Sequence, residues 1–183
     1  AIPDLVRLIK NRRVHLYHAC QYQDFCSYLL LGGIPSRARL KKDNFAMTRF
    51  ITDGNDQKNN VWDKIFLNLQ DFGNIFASGR NGVPNVYGPI LFRFKPDALY
   101  EMVDVAMCLR SAGGEGFRRE QESLKSIEDV NRLFFYSANN PNGRTAAVKF
   151  GYKLQEEFGE GARTIEISCT STNGVLSFSH LED

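Results

Sequence analysis

The sequence predicts an α+β fold, in a single domain that spans residues 1–183. Segments with strand and helix patterns follow one another without the regular βα alternation of a doubly wound parallel sheet. A tight-turn pair, Asn173-Gly174, separates two short strand patterns and favours antiparallel pairing. The chain is 43% hydrophobic and shows no internal repeat or low-complexity linker, so its 183 residues suit one sizeable core. We expect mixed, mostly antiparallel sheets.

Period-two alternation marks the strands, because successive side chains of a strand point to opposite faces of a sheet. The patterns in chain order are VHLYHA at 14–19, DKIFLNL at 63–69, ILFRFK at 90–95, VDVAMCLR at 103–110 and the two strands that flank TSTNG at 170–174. In the fourth of these, Val103, Val105, Met107 and Leu109 are expected to face the core. The last two strands are expected to form a hairpin with each other.

Helical spacing of apolar residues marks the helices. A short helix begins near Pro3, carries Leu5, Leu8 and Ile9 on one face and ends in basic residues. Further helices are predicted at 23–33 with a Gly-Gly stop, at 126–135 with a capping box from Ser126 to Asp129, and at 146–159. The remaining long segments, 70–89 and 110–126, are predicted loops, and ordered loops of such length more often carry function.

Composition excludes several classes of protein. The net charge of +2 is too weak by itself to predict a nucleic-acid partner, which usually needs a concentrated basic patch. No apolar run approaches the length of a membrane span, and the start of the chain lacks a signal-peptide pattern. We expect a soluble cytoplasmic protein with no membrane partner.

The cysteines and histidines are spaced too irregularly for a metal site. The cysteines are Cys20, Cys26, Cys108 and Cys169, without a C-x-x-C pair, and the three histidines are scattered. No zinc template fits this spacing, so no metal cofactor is expected. Cys108 and Cys169 fall within predicted strands, which favours buried free thiols in a reducing compartment.

Glu166 is the first candidate for chemistry, because a carboxylate is unusual in the middle of the strand pattern RTIEISC. Ile167 and Cys169 alternate there against Glu166 and Ser168, which places the carboxylate on the polar face. A solvated outer face would explain it, since most Glu side chains are exposed. A catalytic cleft would also explain it, and the strand alone does not decide between the two.

A second candidate lies where the first predicted strand ends, at Tyr17, His18 and Ala19. In one interpretation the tyrosine is a buried aromatic and the histidine is a core residue with satisfied hydrogen bonds. In the other, His18 and the backbone around Ala19 bind the ribose and carboxamide of a dinucleotide, since a rigid strand end holds donors and acceptors well. Composition alone favours the first interpretation.

The segment LYHACQYQDFCSYLLLGGIPSR, residues 16–37, resembles the opening of the ADP-ribosyltransferase superfamily. Three later segments, NNVWDKIFLNL, YGPILFRFKPDALYEM and ARTIEIS, are also similar to parts of that superfamily's domain. Among its branches the chain looks most like the DarT-type toxins, which transfer ADP-ribose from NAD to a base in single-stranded DNA. The resemblance implies an ADP-ribosyltransferase-like fold with its sheets around an NAD cleft, and NAD as co-substrate.

The same resemblance implies roles for individual residues. Glu166 would be the catalytic carboxylate that stabilises positive charge on the ribose, and Arg49 would contact the pyrophosphate or the target base. By the same resemblance Tyr17, His18 and Ala19 would bind NAD, and Gly33 and Arg37 are expected to bind it as well. A surface arginine before a polar loop explains Arg49 equally well, and Arg37 and Arg39 are alternative phosphate contacts. A toxin of this kind would be neutralised by a partner protein, its antitoxin.

Two polar segments are candidates for the contact with nucleic acid. RSAGGEGFRREQESLK combines an aromatic ring for stacking with arginines for phosphates, in a glycine-rich loop suited to single strands. The start of a charged helix with internal ion pairs explains the same residues equally well. The residues expected to contact nucleic acid are Arg110, Phe117, Arg118, Arg119 and, from SANNPNGRT, Arg144.

Several functions stay open at this point. We expect an enzyme that modifies single-stranded DNA, with RNA as the second target. A transferase that modifies protein side chains is one alternative, and a non-catalytic nucleic-acid-binding domain is another. The joint presence of His18, Arg49 and Glu166 favours an enzyme, since a binding domain needs only the basic loops.

Overall fold

Helices and strands alternate irregularly along the chain, as an α+β fold requires. The computed structural model describes residues 2–69, 71, 87–109, 111–132 and 166–183. In chain order the elements there are α1 (Ile2–Asn11), β1 (Leu16–Cys20), α2 (Tyr22–Leu31), β2 (Gly33–Pro35), α3 (Arg37–Lys42), α4 (Asp53–Lys58), β3 (Ile65–Asn68), β4 (Ile90–Phe94), a 3₁₀ helix (Pro96–Glu101), β5 (Met102–Cys108), α5 (Arg119–Glu122), α6 (Ile127–Arg132), β6 (Glu166–Ser171), β7 (Val175–Ser177) and a second 3₁₀ helix (Phe178–His180). The helix predicted at 146–159 and most of the loop predicted at 70–89 lie outside the described residues.

The strand pairs in the described part of the chain are antiparallel, and they form two sheets. The larger sheet has the order β4-β1-β3-β6-β5, and the smaller one pairs β2 with β7. The predicted α+β class with mostly antiparallel sheets is therefore confirmed. β6, which begins with Glu166, lies between β3 and β5, so both of its edges are paired.

One face of the larger sheet carries the main apolar core. Alternate strand residues on that face, among them Leu16, Leu67, Phe94 and Ile167, are completely buried. α1 buries one side of its helix against the first 3₁₀ helix and adds to the same core. Full burial of one large apolar side chain contributes roughly 1.5–3 kcal/mol, so this face supplies much of the stability of the fold.

The opposite face of the sheet carries a smaller apolar cluster. Its members are Val61, Cys108 and Ala112, with Phe66, Ala106 and Phe117 packed against them. Cys108 is the direct cross-strand partner of Glu166, so both side chains point to this second face. The segment that follows β5 packs over it through Ala112.

Caps fix the ends of several helices. α2 ends at Gly32, which takes a φ of +70°. The Ser36 hydroxyl accepts a hydrogen bond from the Arg39 amide at the start of α3. The Ser126 hydroxyl accepts one from the Asp129 amide at 3.1 Å, so the predicted start of α6 is confirmed.

The hairpin predicted at the end of the chain is wrong in its pairing, although the turn lies where the sequence places it. Gly174 has a φ of +73°, and the Asn173 side chain accepts hydrogen bonds from the Val175 amide and the Ser171 hydroxyl. β6 nevertheless pairs with β3 and β5, whereas β7 pairs with β2 in the other sheet. Turn residues determine only the local reversal, and strands from distant parts of the chain determine the pairing.

Strand β5 departs from its predicted pattern at one end. The register shifts between Met102 and Asp104, as it does at a β-bulge. The extra residue reverses the alternation, so Met102 is buried and Val103 is 63% exposed. Met107 and Leu109 are buried, as their spacing predicts.

The cysteines are free thiols, and three of them, Cys20, Cys108 and Cys169, are buried. The predicted burial of Cys108 and Cys169 is therefore confirmed. No group of three or more potential metal ligands occurs among the described residues. No helix in the described ranges has the length and apolar character needed to cross a membrane.

Candidate active site

Glu166 is enclosed by the protein, so the interpretation of its strand position as a solvated outer face is wrong. The residue is 6% exposed, and its Oε1 accepts a 3.0 Å hydrogen bond from the backbone N–H of Ala112. Burial raises the pKa of the carboxyl to about 8, although hydrogen bonds from Ala112 and the Ser111 side chain favour the charged form. The charge of Asp56 adds to the rise in this pKa. Carboxyl groups perturbed in this way are concentrated at functional sites.

Residues 111–117 form a cover over Glu166, and the chain just after α4 holds this cover in place. The side-chain amide of Asn59 donates hydrogen bonds to the carbonyl oxygens of Ala112, at 2.9 Å, and Gly114, at 3.1 Å. The two acceptors flank Gly113. The turn that binds the Glu166 carboxyl is therefore fixed by a side chain from a different part of the sequence.

Asp56, on α4, contacts the same turn. A Cβ on Gly113 would lie 1.8 Å from Oδ1 of Asp56, so only glycine leaves room for this carboxylate. Asp56 is 9% exposed, and burial raises the pKa of its carboxyl to about 6, with a further contribution from the charge of Asp53. Two carboxyl groups with different pKa values thus converge on the cover. The sequence gives no signal for Asp56, because TDGNDQKNN reads only as a polar loop.

His18 lies on the opposite face of the sheet from Glu166. Tyr17 pairs with Asn68, and Asn68 pairs with Glu166, so these three side chains share one face. His18 is the next residue along β1, and its side chain therefore points toward the main core. The structure does not bring His18 and Glu166 together at one surface.

Both ring nitrogens of His18 have partners inside the protein. Nδ1 donates to the carbonyl oxygen of Phe66 at 2.8 Å, and Nε2 lies 3.4 Å from the hydroxyl of Tyr28. Burial lowers the pKa of His18, which favours the neutral ring. This is the geometry of a core histidine with satisfied hydrogen bonds.

Arg37 is committed to interactions within the protein. Its guanidinium forms an ion pair with Asp53 at 2.9 Å, lies 3.6 Å from Asp24 and also donates to the carbonyl oxygen of Thr48. Two aromatic rings flank the guanidinium, each with its centroid 5.6 Å away: Phe50 and Trp62. These contacts account for a partly buried arginine at this position without a bound phosphate.

Arg49 lies on the segment between α3 and α4, which is tied to α2. The Ser27 hydroxyl donates to the carbonyl oxygen of Ala46 at 2.6 Å, and the Thr48 amide donates to the Asp24 carboxylate at 2.8 Å. Arg49 itself is exposed. The chain continues from it into α4, so the segment with Arg49 and the helix that contacts the cover are consecutive.

The two small residues predicted to bind NAD have different surroundings. Gly33 is buried in the pairing of β2 with β7, where a Cβ would lie 2.1 Å from the carbonyl oxygen of Leu176. Strand pairing therefore explains why a glycine is needed there. Ala19 is partly exposed and shares the Glu166 face of the larger sheet with Tyr17.

The residues expected to contact nucleic acid also differ from one another. Phe117 is partly buried and packs against the smaller apolar cluster, so its ring has a structural role. Arg118 and Arg119 are exposed beside the cover, and the Arg119 guanidinium donates to the backbone just after α4 at 3.3 Å. Arg110 and Arg144 lie outside the described residues.

Two cavities in the described part of the chain lie away from Glu166 and His18, and the larger adjoins Gly33, whose neighbour Gly32 and strand partner Ser177 line it. The larger, of about 470 Å³, lies beside β7 and is lined by Ser171, Asn173 and their neighbours. The smaller, of about 250 Å³, lies between α1 and α6. Neither is lined by Glu166 or His18, so the enclosed carboxyl and its cover define the candidate site. No protein-family model matches the sequence, and no curated protein matches it significantly.

Proposed function

We propose that this protein is an NAD-dependent mono-ADP-ribosyltransferase, which transfers ADP-ribose to a base of single-stranded nucleic acid and releases nicotinamide. DNA is the preferred target and RNA is the second. The observation that carries the proposal is the enclosed carboxyl of Glu166, on the sheet face that also carries Tyr17 and Ala19. The resemblance of the surrounding segments to the ADP-ribosyltransferase superfamily supplies the fold family, the co-substrate and the class of target.

An enclosed carboxylate suits the bond that this reaction breaks. Cleavage between nicotinamide and ribose builds positive charge on the ribose ring, as in glycoside hydrolysis. Because Glu166 is 6% exposed and binds the N–H of Ala112, residues 111–117 would move away from the carboxyl when NAD binds. An ionised Glu166 beside the ring then stabilises that charge, and the low dielectric of the site strengthens the attraction. The bonding electrons leave with nicotinamide, a base nitrogen forms the new bond to the ribose, and its proton passes to solvent.

The raised pKa of Glu166 makes its ionisation sensitive to what is bound beside it. With a pKa of about 8, most of this carboxyl is protonated at neutral pH in the free protein. The nicotinamide ring of NAD is positively charged, so its binding nearby favours the carboxylate and lowers the pKa. We therefore expect transfer to become faster as the pH rises toward about 8.

The spacing of the strands fits a dinucleotide on the Glu166 face. Only β3 lies between β1 and β6, and neighbouring strands are about 4.8 Å apart. The Cα atoms of Tyr17 and Glu166 are therefore roughly 10 Å apart. An extended dinucleotide is longer than this. Tyr17 and Ala19 would contact NAD, while His18 fixes β1 from the core face. Arg49 would bind the pyrophosphate through its planar, bidentate guanidinium.

The nucleic acid would approach beside the cover. Arg118 and Arg119 are exposed there, at the edge of the segment that encloses Glu166, and they would bind backbone phosphates. We place this activity in the cytoplasm, where free thiols are stable. An enzyme that modifies the nucleic acid of its own cell needs control, so a partner protein would inhibit it.

The test is transfer of label from NAD, radioactive in its adenylate phosphate, to single-stranded DNA, single-stranded RNA or protein. We expect label on single-stranded DNA with release of nicotinamide and a weaker signal on RNA, and mass analysis then identifies the modified base. Label on protein alone would assign the chain to protein-modifying transferases. Intact NAD and no label on any target would contradict the enzyme and leave a non-catalytic nucleic-acid-binding domain.

A further inference from the structure

We propose that Asp56 is a positioning residue for Glu166: from α4 it packs against the turn that binds the Glu166 carboxyl and places a negative charge beside it. Asp56 does not touch the substrate in this proposal and acts only through Glu166. Its importance for transfer rests on the function proposed above. Its effect on Glu166 is a property of the protein alone.

The carboxyl groups of Glu166 and Asp56 contact two consecutive residues of the cover. The N–H of Ala112 binds Oε1 of Glu166 at 3.0 Å, and the next residue, Gly113, lies against Oδ1 of Asp56. A Cβ on Gly113 would be 1.8 Å from that oxygen, so no side chain separates the Asp56 carboxylate from the backbone. A single peptide unit of the cover therefore separates the two contacts, so a change in the charge of one carboxyl acts on the other at short range.

Hydrogen bonds hold Asp56 in this place. The Val61 amide donates to the Asp56 carbonyl oxygen at 2.9 Å, which fixes the end of α4. Asn59, between them in the sequence, donates to the carbonyl oxygens of Ala112 and Gly114. The chain after α4 is thus joined to the cover on both sides of Gly113, the residue against which the Asp56 carboxylate packs.

Other titratable groups of the described residues lie around the pair, and the buried Glu122 on α5 is one residue from the bridge partner of Cys108. The titratable groups that face Glu166 and its neighbours are Asp56 on α4, Tyr87 before β4, Cys108 on β5 and Arg119 on α5, while Asp53 and Arg37 act on Asp56. Burial raises the pKa of Cys108, and partial burial together with the charge of Glu166 raises the pKa of Tyr87, which is 40% exposed, so both are uncharged at neutral pH. Asp56, with a pKa of about 6, is mostly ionised there. Among the described groups that act on Glu166, Asp56 carries the charge that opposes its ionisation.

The two carboxyl groups accordingly lose their protons in order. Asp56 ionises near pH 6 and Glu166 near pH 8. Between these values the pair holds one proton, on Glu166, and the like charge of Asp56 opposes its loss. A cation bound beside Glu166 offsets this repulsion and releases the proton. Asp56 thereby links the charge of Glu166 to the presence of a positively charged substrate.

The test is a ¹³C NMR titration of the side-chain carboxyl carbons in the full chain. Glu166→Gln assigns the Glu166 signal by its loss. In Asp56→Asn, which keeps the shape of the side chain against Gly113, we expect the Glu166 midpoint to fall by about half a pH unit or more. The matched control is Asp63→Asn, which removes the same charge from an exposed position and should leave the midpoint unchanged.

An unchanged Glu166 midpoint in folded Asp56→Asn would overturn the proposal, as would an equal fall in Asp63→Asn. A second measurement does not require Asp56→Asn to fold. In Glu166→Gln, Asp56 should still titrate near pH 6, because Glu166 is already uncharged at that pH in the natural protein. A clear fall in the Asp56 midpoint would show that Glu166 is ionised there, which also contradicts the proposal.

The pH dependence of transfer separates this inference from the proposed function. If both hold, half-maximal transfer from NAD moves to lower pH in Asp56→Asn, by the same amount as the Glu166 midpoint. If the protein transfers nothing but the midpoint still falls, the proposed function fails and the positioning of Glu166 stands. If transfer occurs and its pH profile is the same in both proteins, the positioning role fails and the proposed function stands.

Discussion

The two faces of the larger sheet surround a buried polar side chain with different partners. On the core face, each ring nitrogen of His18 has a partner inside the protein, and burial favours the neutral ring. On the other face, the Glu166 carboxyl accepts a hydrogen bond from the N–H of Ala112, but the like charge of Asp56 opposes its ionisation. The first arrangement makes a polar group inert, and the second leaves a proton that can be released near neutral pH.

The difference follows from what covers each face. The core face is packed by helices and by a large continuous set of apolar side chains. The other face has a small apolar cluster and the cover, in which the N–H of Ala112 binds the buried acid and Gly113 packs against the Asp56 carboxylate. Burial alone therefore does not identify a reactive group. The hydrogen-bond partners and charges that surround the buried group identify it.

The largest expected effect is a difference in the free energy of unfolding between substitutions on the two faces. Phe94 is completely buried in the core face, so Phe94→Ala should lower the free energy of unfolding by about 3–5 kcal/mol. Phe117 is only partly buried at the edge of the smaller cluster, and Phe117→Ala should cost about 1–2 kcal/mol. Urea unfolding followed by circular dichroism measures both. Equal losses would contradict the unequal packing of the two faces.

Glu166→Gln tests the chemistry of the second face. The amide has the size of the protonated carboxyl but cannot become a carboxylate, so transfer from NAD should fall about 100- to 1000-fold while the fold persists. Initial rates on single-stranded DNA, with circular dichroism spectra alongside, measure this. Glu128→Gln makes the same change at an exposed position on α6 and serves as the control. Undiminished transfer in Glu166→Gln would assign the catalytic role to another residue.

Glu166 should also make stability depend on pH. The pKa of its carboxyl is raised from 4.5 to about 8 in the folded protein, so the folded state binds this proton more tightly than the unfolded state does. The resulting stability is complete below about pH 4.5 and is lost as the pH rises through about 8. Glu166→Gln removes this contribution, so its free energy of unfolding should fall less over that range. Urea titrations at the two ends compare the proteins, and parallel curves would contradict the raised pKa.

His18 allows a finer test of the core face. The side-chain nitrogen of asparagine can take the place of Nδ1 and donate to the Phe66 carbonyl oxygen, whereas leucine cannot. We expect His18→Leu to lower the free energy of unfolding by about 1–3 kcal/mol, and His18→Asn to lower it less. If both variants keep their stability but lose transfer equally, His18 contacts the substrate and the core interpretation fails.

The smallest effect is expected at Arg37. Arg37→Lys keeps the charge but loses the planar fork that binds Asp53 and the Thr48 carbonyl oxygen together. Local opening should become easier by about 1 kcal/mol, so hydrogen exchange at the Thr48 amide should accelerate about fivefold. Arg7→Lys, at a mostly exposed ion pair, is the control. Exchange at an unchanged rate in Arg37→Lys would show that other contacts hold this segment.

Much of the local structure could be predicted from the sequence, because spacing within one segment decides it. The apolar stripe of α1, the alternation of β4 and the Ser126 cap of α6 all depend on residues only a few positions apart. A local feature, a carboxylate in a strand pattern, also makes Glu166 a candidate, whereas its catalytic role is implied by the resemblance to the ADP-ribosyltransferase superfamily.

The rest depends on contacts between distant segments, which no local pattern encodes. The bulge that exposes Val103 follows from the register of β5 against β6, and the pairing of β7 with β2 joins residues 175–177 to residues 33–35. The residue that donates to the Glu166 carboxyl, Ala112, is 54 positions away in the sequence. The contact of Asp56 with Gly113 also joins distant segments of the chain. In the sequence, Asp56 therefore appears only as part of a polar loop.

The pKa of the Glu166 carboxyl in the unaltered protein is the most direct test of the enclosed site. ¹³C NMR titration, with the signal assigned through Glu166→Gln, measures it without any substrate. We expect a midpoint of about 8, because the carboxyl is buried beneath residues 111–117 next to a second acid. A midpoint close to the ordinary value of 4.5 would mean that the carboxyl is solvated, and it would contradict the site on which the proposed function depends.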